Sequence, residues 1–116
     1  MFIANLRYKK SIKVVNEFLE DHLKYLDKYF SKGNFLCSGK KYFPESGGVI
    51  LFNSDNLQEA KKILFEDPFY IEEIADYEII EFQVSKYNEN FSSFIFDKIC
   101  RIYSYMYKKC INLYSL

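Results

Sequence analysis

The chain has no tryptophan, one histidine, two prolines, four glycines and three cysteines in 116 residues. Cys37, Cys100 and Cys110 are odd in number, far apart and without a CxxC pair, which fits neither a disulfide scaffold nor a zinc site. A single histidine leaves too few ligands for a transition-metal centre. There is no P-loop and no dinucleotide-type glycine pattern, so the sequence implies neither a metal nor an organic cofactor. Charge of one sign is also missing: 16 basic side chains face 16 acidic ones, for a net charge of zero. Binding to nucleic acid, which needs a basic surface to displace counterions, is therefore not expected. No run of about 18 uncharged apolar residues could span a bilayer. The N-terminus shows no signal-peptide pattern, so the expectation is a cytoplasmic protein with reduced thiols.

What is abundant is aromatic side chain, with 12 Phe and 11 Tyr, within an ordinary apolar fraction of 49%. That is enough for one domain with a real core. Residues 1–8 alternate as a strand, with Phe2, Ala4, Leu6 and Tyr8 on one face and Ile3, Asn5 and Arg7 on the other. Ser11 is placed to cap a helix running to Lys32, which Gly33 and Asn34 should stop. The apolar residues Ile12, Val15, Leu19, Leu23, Leu26 and Phe30 recur at helical spacing and predict its buried face. Residues 35–43 and 48–53 predict an antiparallel hairpin around the turn cluster Pro44–Gly48, with a bulge or close backbone approach at Gly39. Val49–Phe52 is an unbroken apolar run, as in a strand buried on both faces.

Asp55 and Gln58 resemble a capping box at a second helix, whose apolar face is Leu57, Ala60, Ile63 and Leu64. Asp67-Pro68 ends it, and a short helical turn can follow through Ile74. Asp76–Lys86 predicts a fourth strand, with Ile80, Phe82 and Val84 on one face and Tyr77 and Ile79 on the other. The order β-α-β-β-α-β makes an α+β, ferredoxin-like antiparallel sheet with both helices on one face. Apolar residues on the other face need a cover, and a second copy of the sheet supplies one, so a homodimer built as a dimeric α+β barrel is expected.

The division is 1–87 for this domain and 88–116 for an extension. Phe91, Ile95, Ile99, Ile102, Met106, Cys110 and Leu113 recur at steps of three and four, predicting an extra C-terminal amphipathic helix. Its stripe can pack on protein or, with Lys98, Arg101, Lys108 and Lys109 beside it, touch a membrane surface.

His22 falls on or beside the stripe of the first helix, aimed at the interior or at a cleft. It is either a packed, hydrogen-bonded residue or the group best suited to move a proton near neutral pH. Asp67 is a good cap for the helical turn after it. A carboxylate has two oxygens, so capping leaves it able to orient His22 as well.

The opening MFIANLRYKKSIKVVNEFLEDHLKYLDKYFSKGNFLCSGKK, the middle GGVILF, and EDPFYIEEIADYEIIEFQ resemble the YciI-like family (YCII-related domain) over residues 1–86. Three features carry the resemblance: His22 in the first helix, the Gly33–Gly39 segment, and Asp67-Pro68-Phe69. It implies a ferredoxin-like fold in dimeric α+β barrels and a pocket centred on a His/Asp pair. By position these are His22 and Asp67, with Ser38, Gly39, Pro68 and Phe69 lining the pocket. Some members of the family are linked to the breakdown of small, often aromatic or halogenated, organic acids. The expected function is thus a small-molecule enzyme using the pair for acid–base elimination, isomerisation or lactone chemistry. The alternative is a non-catalytic ligand-binding or protein-interaction module, with the C-terminal helix as the interaction element. That helix departs from the usual ending of the family.

Overall fold

A computed structural model describes residues 1–43 and 46–95. They fall into two compact units that part between Glu81 and Phe82. The first unit runs β1 (Phe2–Tyr8), α1 (Ile12–Ser31), β2 (Phe35–Lys40), β3 (Gly47–Phe52), α2 (Leu57–Leu64), α3 (Pro68–Ile71) and β4 (Ala75–Glu81). The four strands form one antiparallel sheet in the order β2-β3-β1-β4. This is the expected α+β, ferredoxin-like arrangement.

Local chemistry explains most boundaries. The Ser11 side chain accepts from the Val14 amide and opens α1. At the other end Gly33 takes φ +83°, and the amides of Gly33 and Asn34 return to the carbonyls of Phe30 and Tyr29. That left-handed residue is why the helix stops there. The same closure ends α3, with Glu73 at φ 54° and the amides of Glu73 and Ile74 bonded to the carbonyls of Tyr70 and Phe69. At Gly47, a Cβ would run into the Leu6 carbonyl of the neighbouring strand, so β1 and β3 can pair there only around glycine.

The core lies between one sheet face and the helices. Phe2, Ala4 and Leu6 from β1 and Ile50 and Phe52 from β3 meet Val15, Tyr25, Tyr29, Ala60, Leu64 and Phe69. On the opposite face, Arg7 pairs with Asp76 at 3.2 Å across β1 and β4, while Val49 and Ile80 stay partly exposed.

Several expectations need correction. The buried stripe of α1 is Val15, His22, Tyr25 and Tyr29, whereas Ile12, Leu19, Leu23 and Phe30 are exposed. The rings of Tyr25 and Tyr29 pack on Phe35 in the core, where aromatic side chains bury more apolar surface than aliphatics at the same spacing. The cap of α2 is Asn56, which accepts from Glu59, and not Asp55. The register shift in β2 lies between Phe35 and Cys37, and the space where a Gly39 side chain would stand is open. Val49 is 37% exposed, so β3 alternates within this chain and is not buried on both faces. Cys37 is exposed. β4 ends at Glu81, so Phe82 and Val84 lie beyond the strand.

In the second unit, Glu89–Phe94 forms a 3₁₀ helix capped by Asn88, with Phe91 and Phe94 in ring contact. A 3₁₀ turn replaces the α-helix expected at this point. Pro44 of the predicted turn, and the rest of the predicted C-terminal helix from Phe96 to Leu116, lie outside the described residues. Among the described residues no helix is long and apolar enough to cross a membrane.

Candidate active site

The site is assembled from α1, the turn into α3, and β4. Position 22 shares the inner face of α1 with Val15 seven residues before and Tyr25 and Tyr29 after, so the imidazole points inward and its side chain is 11% exposed. Asp67 follows the end of α2 and caps α3. Pro68 occupies the first helical position, where its missing amide costs nothing. Phe69 one step further turns its ring flat onto His22, with centroids 4.0 Å apart and planes 2° from parallel. Tyr8 meets Phe69 edge-on from β1.

His22 Nδ1 lies 2.8 Å from Asp67 Oδ1. The same oxygen accepts the Phe69 amide at 2.9 Å. The second oxygen, Oδ2, accepts the hydroxyl of Tyr77, which projects from the inner face of β4. Asp67 has no exposed surface at all. A buried carboxylate must find donors inside the protein, and here three side-chain and backbone groups provide them. An ionised Asp67 can only accept, so the proton between it and His22 sits on Nδ1. The neutral ring then carries its free lone pair on Nε2.

Charge at Asp67 is felt by the phenols around it. Burial, and then the negative charge of Asp67, push the Tyr77, Tyr25 and Tyr8 hydroxyls above their ordinary value. Tyr25 donates to the Ile63 carbonyl at 2.7 Å. Further along α1, the Lys28 ammonium and the Tyr29 hydroxyl bond to Glu66 and hold its carboxyl below the usual range.

Beside this pair is a cleft of about 290 Å³. One wall is the aliphatic edge of α1, with Ile12, Leu19 and Leu23. The facing wall is the β2–β3 hairpin, with Ser38, Gly39, Lys40 and the backbone of Gly47 and Gly48. His22 and Phe69 close one part of it, and Asn16 adds a polar group. No carboxylate is among the described residues that line it.

Of the residues singled out from sequence, His22 and Asp67 meet directly, and Ser38, Gly39 and Phe69 line the cleft. Pro68 does not line it and serves as the first residue of α3 instead. Tyr77, Lys40 and Asn16 were missed. Tyr77 had a detectable signal: a phenol on the core-facing side of a strand needs an acceptor inside the protein. Nothing in the local pattern marks Lys40 or Asn16, because their placement depends on how α1 and the hairpin face each other.

The sequence profile of the YCII-related domain matches residues 1–83. The chain belongs to the YCII-related family. Among solved structures, it is similar to 5-chloro-2-hydroxyhydroquinone dehydrochlorinase from Burkholderia phenoliruptrix in complex with 2,5-dihydroxybenzoquinone. The superposition has a TM-score of 0.60 at 16% identity, covering 72% of this chain and 94% of that one. At that identity the likeness speaks for the fold. A search of the curated proteins found no match.

Proposed function

We propose that this protein is a small-molecule enzyme in which His22 moves a proton at a substrate held in the cleft. Asp67 fixes the tautomer and stabilises the imidazolium when the ring takes up the proton. The observation that carries this reading is the 2.8 Å contact between His22 Nδ1 and a wholly buried Asp67, beside a cleft that His22 also lines. A ring bonded at one nitrogen and lining a cavity is arranged as a general base or acid. The reaction class we assign is elimination, isomerisation or lactone chemistry on a small organic acid. A dehydrochlorinase with the same fold is in keeping with elimination.

The test is turnover of a panel of chlorinated and hydroxylated small organic acids, followed by chloride release and ultraviolet absorbance. His22→Gln should keep the circular dichroism of the wild type and lose on the order of 10²- to 10⁴-fold in rate. Equal rates in the two proteins would sink the proposal. A second reading, ligand binding without turnover, draws support from the Phe69 ring stacked on His22, which leaves little of the imidazole open. It predicts saturable binding of panel members with no reaction.

For the assembly we propose a homodimer through the sheet face opposite the helices. The support is the partial exposure of Val49 and Ile80 there. Sedimentation equilibrium of the whole chain should give twice the monomer mass, and a monomer at every concentration would rule it out.

A further inference from the structure

We propose that Tyr77 is a positioning residue of this site: its hydroxyl, donated to Asp67 Oδ2, aims the other carboxylate oxygen at His22 and limits how tightly the pair holds a proton. The functional meaning of this role rests on the acid–base reading of His22 given above. The physical claim does not, since it concerns only the protein.

The argument starts from the isolation of Asp67. With no exposed surface it has no water to share, so its two oxygens are oriented by whatever donors reach them. Oδ1 takes the Phe69 amide and His22 Nδ1. Oδ2 takes Tyr77. The first pair of bonds comes from the turn and from α1, and the last comes from β4, across the core. Without the Tyr77 hydroxyl, Oδ2 would be buried and bare, and the carboxylate could rotate about its own bond to seek the ring with either oxygen. Tyr77 is itself held: Tyr70 packs edge-on against it with centroids 5.8 Å apart, and its position on β4 is set by pairing with Leu6 of β1.

The sign of the effect on the imidazole follows. When His22 is neutral, Asp67 carries an unshared negative charge, and the phenol bond to it is strong. When His22 is protonated, the imidazolium already neutralises much of that charge, and the phenol bond contributes less. The hydroxyl therefore favours the neutral pair, and its removal strengthens proton binding. The midpoint belongs to the coupled pair and not to one residue. Other groups around the ring do not reverse this. Tyr25 on α1 sends its hydroxyl to the Ile63 carbonyl. Tyr8 on β1 faces Phe69 edge-on. Glu66 is engaged by Lys28 and Tyr29. Lys40 on β2 brings an ammonium group to the lining of the same cleft.

The experiment is an NMR titration of the single histidine in the whole chain, in wild type, Tyr77→Phe and Tyr70→Phe. Tyr77→Phe should move the ring titration upward by about half a pH unit or more, the size expected for loss of one hydrogen bond to a buried charge. Tyr70→Phe keeps the ring that packs on Tyr77 and the backbone amide that bonds the Asp67 carbonyl, and should leave it in place. Coincident curves for wild type and Tyr77→Phe, or a downward shift, would overturn the proposal. Should Tyr77→Phe fail to fold, the wild-type chain still decides the matter: the Tyr77 Cζ resonance should move in step with protonation of His22, and a Cζ signal indifferent to that event counts against it. No substrate enters either measurement. Absence of turnover defeats the enzyme reading and leaves this one standing, and the reverse also holds.

Discussion

The two ends of α1 do different work. Toward Lys32, Tyr25 and Tyr29 are locked around Phe35, whose ring lies within 6 Å of four others. Their hydroxyls are tied down as well, to the Ile63 carbonyl and to Glu66. Toward Ser11, Ile12 and Leu19 are 58% and 37% exposed and form a cleft wall. His22 stands where the two regimes meet. A single amphipathic helix can therefore close a core with one stripe and hold a cavity open with the next. Aromatic rings fill the first space, and the glycine-bearing hairpin opposite leaves the second unfilled.

The largest effect separates the two ends by stability. Phe35→Ala should cost about 3–5 kcal/mol, since it removes the hub of the ring cluster and leaves a cavity. Leu19→Ala on the cleft wall should cost under about 1 kcal/mol, because the side chain is already 37% exposed. Denaturant titration of both variants checks this. Similar losses would show that the cleft wall belongs to the core after all.

A smaller effect sharpens the same contrast through pH. Burial and then the neighbouring Glu66 push the Tyr29 phenol up to about 12, and burial and then Asp67 raise Tyr25. A phenol raised above its unfolded value contributes stability in full below that value, near 10, and loses it as pH rises toward the folded value. The thermal midpoint should be nearly flat between about pH 7 and 9 and fall by several degrees by about pH 11. The drop should coincide with phenolate absorbance near 295 nm. An unchanged midpoint at about pH 11 would show that these phenols ionise freely in the folded state.

Much of the fold was legible because its causes are local. Ser11, Gly33 and Asp67-Pro68 mark ends of helices through contacts within a few residues, and the alternation in residues 1–8 and 76–81 sets which faces of β1 and β4 turn inward. The stripe of α1 was misjudged for a different reason. Aliphatics and tyrosines both recur at helical spacing there, and periodicity cannot say which set the sheet will accept. Asn56 displaced Asp55 as the cap of α2 on a difference of one residue, which is within the play of any local signal.

By itself, then, the sequence determined the order of elements, their sheet topology and the presence of His22 and Asp67 as the candidate pair. Tertiary structure alone decided that these two, 45 residues apart, stand 2.8 Å from each other. It also decided that Tyr77 completes the carboxylate's bonds and that Lys40 and Asn16 reach the cleft. The reason is range. A cap or a strand is settled by neighbours along the chain, but a buried charge takes its donors from whichever elements the folded sheet brings around it.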